Sequence, residues 1–173
     1  MQANGDPPLV ATLVFPRRGN NLMLATKMRG IGVGYLNGWG GGVEPGESIH
    51  ECAMREFKEE TGGATIPDEA VEQDVFNCVG VVHFANHKED GRVVNCDVYV
   101  YVTQFWYGEI RSTEEMRSPG FHRVHSIPRL NLLPGDKFWL PQFLHGRNMH
   151  AWVEQDHNYR LLSDVVVVCA ADE

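Results

Sequence analysis

The sequence predicts an α/β (α+β) fold organised around a mixed β-sheet. Segments of strand composition outnumber helical ones. Few strand–helix–strand alternations appear, which disfavours a doubly wound sheet. One helix, over 49–61, is far stronger than any other. Hydrophobic residues make up 43% of the 173 and charged residues 22%, which suits a globular domain with a sizeable core. That domain is expected over 9–173, after a loose tail over 1–8 that carries Asn4, Gly5, Pro7 and Pro8.

The runs 9–15 and 21–28 read as strands, and the turn-rich PRRGNN between them makes a hairpin. A glycine-rich loop, GIGVGYLNGWGGG, fills 30–42 and leads into the helix. Two longer strands follow at 75–84 and 92–105, on either side of the polar turn ANHKEDG. A polar loop with Glu114 and Glu115 leads to a short strand at 121–124. A second helix is expected over 137–145, shortened or kinked by Pro141. Strands over 148–155 and 158–169 close the chain, the latter containing VVVV.

The net charge of -8 repels polyanions, so no long nucleic acid is expected as a partner. No run approaches the roughly 20 apolar residues of a membrane span. The opening residues lack both a basic region and an apolar run, so no secretory signal is expected. Cys52, Cys78, Cys96 and Cys169 form no C-x-x-C pair and no zinc spacing. Four scattered thiols fit a reducing, cytoplasmic setting.

The chemistry concentrates in GGVEPGESIHECAMREFKEETGG (41–63). Ser48 and Glu51 have capping-box spacing, which starts the helix near Ile49, and Gly62 is placed to end it. Ile49, Ala53 and Phe57 line an apolar face. Glu56, Glu59 and Glu60 fall on an arc about 100° wide beside it, close to the core. Like charges three or four residues apart cost about 0.2–0.5 kcal/mol per pair. Arg55 offsets part of this through Glu59. Converging carboxylates call for a hard cation such as Mg²⁺ or Mn²⁺. A run such as REFKEE is by itself an ordinary solvated helix face, so the wider spacing decides. Gly41, Glu47, Arg55, Glu56, Glu59, Glu60 and Gly62 recur by chance in fewer than about one in 10⁸ placements.

This spacing resembles the Nudix box, G-x5-E-x7-R-E-U-x-E-E-x-G-U, departing only at the final U, which is Gly63. The resemblance implies a Nudix-type αβα sandwich with a mixed sheet. It implies divalent cations held by Glu56, Glu59, Glu60 and the Gly40 carbonyl, and hydrolysis within the phosphate chain of a nucleotide. Glu56 and Glu60 are the leading candidates for general base, while Glu47 and Arg55 tie the loop to the helix. Stretches outside the box, TLV at 12–14, KMRGIGVGYLNGWGG at 27–41 and EEMR at 114–117, resemble the MutT-type branch that hydrolyses oxidised purine nucleoside triphosphates. By that resemblance Thr12, Lys27, Asn37 and Asp136 bind the substrate and Glu115 adds an outer metal ligand.

Plainer roles stand beside these. Asn37 before Gly38 suits a turn, Glu115 a solvated loop, Lys27 a strand surface and Asp136 a helix N-cap. The branch's W-P-D-D pattern is here Leu133, Pro134, Gly135, Asp136, which removes an aromatic wall and one carboxylate. A lone Asp136 is expected to be ionised at pH 7 unless burial raises its pKa, and so to favour guanine-type bases. The alternatives are hydrolysis of another nucleoside diphosphate derivative, ADP-ribose or a dinucleotide, and a non-catalytic nucleotide sensor. The partner expected is a small nucleotide, with the protein a monomer or homodimer.

Overall fold

Alternating strand formers produce the paired elements β1 (Leu9–Arg18) and β2 (Asn21–Lys27), followed by a two-residue β3 (Leu36–Asn37). Helices α1 (Ile49–Glu60) and α2 (Asp68–Glu72) precede the long antiparallel pair β4 (Phe76–His87) and β5 (Val93–Thr103). Then come β6 (Met116–Arg123), a 3₁₀ segment Val124–Arg129, the single turn α3 (Asp136–Trp139) and a second 3₁₀ segment Leu140–Leu144. Strands β7 (Met149–Gln155) and β8 (Val166–Cys169) end the order. The structure, a computed structural model, describes residues 6–144 and 148–170.

The sheet is mixed, in the order β3-β2-β1-β5-β4-β7-β8, with β6 paired to β2. β1 runs parallel to β5 and β4 parallel to β7; the other pairs are antiparallel. Period-two alternation divides the molecule into two cores. On β5, Val98, Val100 and Val102 join one core, with Phe15, Trp139, Leu140, Met149 and Val153. Tyr101 turns to the other, with Val14, Trp39, Ala53 and Phe57. Helices α1 and α2 therefore cover one face of the sheet and the 124–144 segment the other. This three-layer arrangement is the mixed α/β sandwich that the sequence predicts.

Helix α1 forms as its sequence dictates. Ser48 accepts from the Glu51 N–H at 3.1 Å and Glu51 accepts from the Ser48 N–H at 2.7 Å, a complete capping box. Ala53 and Phe57 are fully buried against the sheet.

Several boundaries differ from expectation. The helix expected over 137–145 is one α-turn that tightens into 3₁₀ geometry at Leu140, because Pro141 supplies no N–H to continue the α pattern; residue 145 lies outside the described residues. The strand expected over 158–169 is confined to Val166–Cys169. The residues before it form a turn at 156–160, closed by the Asp156 N–H to the Arg160 carbonyl, and a single isolated bridge from Leu161 to Gln155. β3 and α2, of two and five residues, are too short to show a periodicity. The tail expected over 1–8 lies mostly outside the described residues. Among those described, no helix is long and apolar enough to cross a membrane.

Candidate active site

The glycines of 38–42 run against β1, and close packing requires them there. Trp39 and Gly41 turn their carbonyls to β1, accepting from the N–H groups of Val14 and Thr12 at 2.6 and 2.9 Å. A Cβ on Gly40 would lie 1.9 Å from the Thr12 carbonyl oxygen, and one on Gly41 would lie 2.6 Å from the Glu56 carboxylate. Only glycine lets this strip lie between strand and helix. Extended alternation points the Gly40 N–H and carbonyl to the edge opposite β1. There the N–H donates to Glu60 Oε2 at 2.9 Å, so the Gly40 carbonyl shares an edge with the helix glutamates.

Glu60 is 5% exposed. Burial, reinforced by the nearby Glu115 and Glu56 charges, pushes its carboxyl up to about 7, against the Gly40 hydrogen bond and the Lys27 charge. Arg55 stands at the centre of the other acids. Its Nη2 and Nε donate to Glu47 at 2.7 and 3.0 Å, and its Nη1 donates to Glu56 at 2.8 Å and to Glu59 at 3.4 Å. The paired guanidinium holds the Glu47 carboxyl down at about 2. Arg55 Nη2 also reaches the Gly42 carbonyl at 3.2 Å, which ties the loop to the helix as the sequence predicts. Glu115 pairs with Arg29, and the Met28 N–H donates to the Glu115 carbonyl, which brings this acid beside Lys27 and Glu60.

Among the described residues no three acids, imidazoles or thiols already surround one cation-sized point. The donors nevertheless fit a hard divalent ion in kind. They are carboxylate and carbonyl oxygens along one edge, and one of the carboxylates is buried among like charges with no basic side chain of the described residues bonded to it.

On the other side of the glycine strip lies a cavity of about 270 Å³. Thr12, Lys27, Asn37, Gly40 and Asp136 all border it, so residues spread over more than a hundred positions meet at one place. Phe84, Val98, Leu133 and Trp139 supply apolar wall. The Thr12 hydroxyl turns away to Cys52 Sγ at 3.4 Å. Asn37 Oδ1 accepts from the Gly38 N–H at 2.8 Å, the turn role, which leaves its amide N–H₂ for the cavity.

The NUDIX domain pattern matches residues 7–144. The chain belongs to the Nudix family. It is 33% identical over 133 residues to an oxidized purine nucleoside triphosphate hydrolase of Mus musculus, covering 77% of this chain and 78% of that one. A protein of the same description from Danio rerio is 29% identical over 163 residues, covering 94% and 93%. The fold also matches the crystal structure of a MutT protein from Bacillus halodurans, with a TM-score of 0.72 at 24% identity, over 92% of this chain and 97% of that one.

Within this Nudix cavity Asp136 is neither the helix N-cap nor the ionised acid expected in the absence of burial. It is no N-cap: Gly135 holds that place, and the Asp136 carboxylate accepts from Trp139 Nε1 at 3.0 Å. Nor is it a fully ionised acid at pH 7, because burial pushes its carboxyl up to about 7, with only the Trp139 hydrogen bond opposing. It therefore both donates and accepts near neutrality, which removes the argument that favoured guanine-type bases. The absent second carboxylate has a packing reason. A Cβ at Gly135 would lie 2.7 Å from Val153 Cγ1. Sequence reading passed over Asn86 and Gln155, which also line the cavity. Both sit near strand ends and their sole signal was a polar residue at a core-facing register.

Proposed function

We propose that this Nudix hydrolase cleaves purine nucleoside triphosphates, oxidised purines included, to the monophosphate and pyrophosphate. The observation that carries the reading is the shared glycine strip. Gly40 borders both the glutamate edge of α1 and the cavity lined by Asn37 and Asp136, so a nucleotide whose base enters the cavity carries its phosphates to the glutamates. Its similarity to the mouse and zebrafish proteins supports the same substrate class.

Glu56, Glu59, Glu60 and the Gly40 carbonyl would hold Mg²⁺ or Mn²⁺, and Glu115 would hold an outer ion. A bound cation supplies charge neutralisation on the phosphate chain and lowers the pKa of water. Glu56 or Glu60 accepts the proton of the attacking water. A new oxygen–phosphorus bond forms as the bridging P–O bond breaks, releasing pyrophosphate and monophosphate. Lys27 and Arg29 bring cationic side chains to the phosphate end. Asn37 and Asp136 offer hydrogen bonds to the base, and Phe84 and Leu133 give it apolar contact. Measuring pyrophosphate release from 8-oxo-dGTP, 2-hydroxy-dATP, dGTP, dATP and ADP-ribose, with and without Mg²⁺, tests the proposal. Metal-dependent release from the purine triphosphates is expected, and turnover of ADP-ribose alone would overturn it.

A further inference from the structure

The cavity wall formed by β4 and β7 carries a polar relay that begins at a backbone carbonyl, a group that can only accept. Asn86 Nδ2 donates to the Val94 carbonyl oxygen at 3.3 Å. The Asn86 side-chain oxygen therefore faces the other way, where Gln155 Nε2 donates to it at 2.9 Å. Reversing the Gln155 amide would set two carbonyl oxygens against each other, so its orientation is fixed from Val94 outward. What remains is Gln155 Oε1. It is buried, on a residue 2% exposed, and accepts no hydrogen bond from any described residue.

A buried acceptor without a donor weakens the free protein. Its residue, together with Asn86, lines a cavity large enough for a planar base. Asn37 presents the opposite polarity, since its oxygen is engaged by Gly38 and its N–H₂ is left. The residues that line the cavity thus hold a fixed acceptor on one wall and a donor on another.

We infer that Gln155 is a specificity-determining residue: its Oε1, aligned by Asn86, accepts a hydrogen bond from an N–H donor on the hydrogen-bonding edge of the bound purine. The inference rests on the cavity being the base site of the proposed function. It separates purines that carry such a donor, adenine and guanine types and their oxidised forms, from purines with acceptors alone. Sites built to pair a substrate N–H discriminate against analogues lacking it, because the buried partner then stays unpaired.

The test compares kcat/KM for 8-oxo-dGTP, dGTP, dATP and the deoxynucleoside triphosphate of unsubstituted purine, which has no N–H on that edge. The proteins are wild type, Gln155→Met and Asn86→Val. Gln155→Met keeps the length of the side chain without its polar atoms. It is expected to lower kcat/KM for the best of the donor-bearing nucleotides by about tenfold, mainly through KM, and to change the unsubstituted purine by less than about twofold. Asn86→Val leaves Gln155 in place but frees its amide to turn, so the preference for donor-bearing bases should fall there too. Thermal unfolding monitors the fold, and Asn86→Val carries the comparison if Gln155→Met does not fold. Equal losses on all of these nucleotides would overturn the inference while leaving the hydrolase reading intact. A wild type that releases pyrophosphate from none of them, nor from 2-hydroxy-dATP, would overturn the proposed function, and this inference with it.

Discussion

At the scale of single residues, the carboxylates of α1 divide by environment rather than by sequence. Glu59 is solvated, Glu56 is held by Arg55, and Glu60 is buried against Gly40. Glu56→Gln and Glu60→Gln should each lower kcat at least about a hundredfold at saturating Mg²⁺, since each removes a charge that holds metal or takes a proton. Circular dichroism should be unchanged, and near-wild-type rates in both would remove these side chains from the mechanism. Glu115→Gln should raise the Mg²⁺ concentration giving half-maximal rate, and an unchanged titration would reduce Glu115 to an ion-pair partner of Arg29. Asp136 gives a signature without substrate. Its carboxyl stands at about 7 in the folded chain against an ordinary 3.8. Between those values the folded state holds a proton that the unfolded state has lost. Stability therefore falls as pH rises through that window, by up to about 1.4 kcal/mol per unit, and the loss is complete above about 7. Urea midpoints should show the slope in wild type and a flatter profile in Asp136→Asn; identical profiles would place the titration elsewhere. The glutamates were legible because a helix turns spacing into geometry. Asp136 was less so, since nothing in the neighbouring residues reveals that Val153 packs on Gly135 beside it or that its carboxylate is buried.

At the scale of elements, α1 carries its own start signal, its own buried face and its own pairing of Arg55 with Glu47. Removing the cap hydroxyl in Ser48→Ala should cost about 1 kcal/mol, read as a lower denaturant midpoint with an unchanged slope. No change would mean that tertiary packing alone sets the helix start. The long strands were legible from composition, and the hairpin β4–β5 extends beyond its predicted end only because His87 and Val93 still pair across the turn. The 124–144 segment was least legible. Its turns are too short for a helical period, and it is held by what it covers, with Ile127, Leu132, Trp139 and Leu140 buried in the sheet's core. Long-range burial of that kind leaves little local trace.

At the scale of the whole molecule, pairing is uneven. β4 and β5 each have a strand on both sides, whereas β8 closes one edge of the sheet with four residues. Hydrogen exchange should be slowest in β4 and β5 and fastest in β8, whose opening needs no disruption of either core. Equal protection across the sheet would mean that it opens as one unit. The two cores also have a consequence for how such a protein diversifies. The glutamate helix is anchored in the core of one face, and most of the base-cavity wall belongs to the other. The two meet along little more than the strip at Gly40. A substitution at Gln155, Asn86 or Leu133 reshapes the cavity while the glutamate helix keeps its packing. Under the proposed function, the fold thereby separates the reaction from the choice of reactant, and new specificities become reachable without passing through an inactive protein.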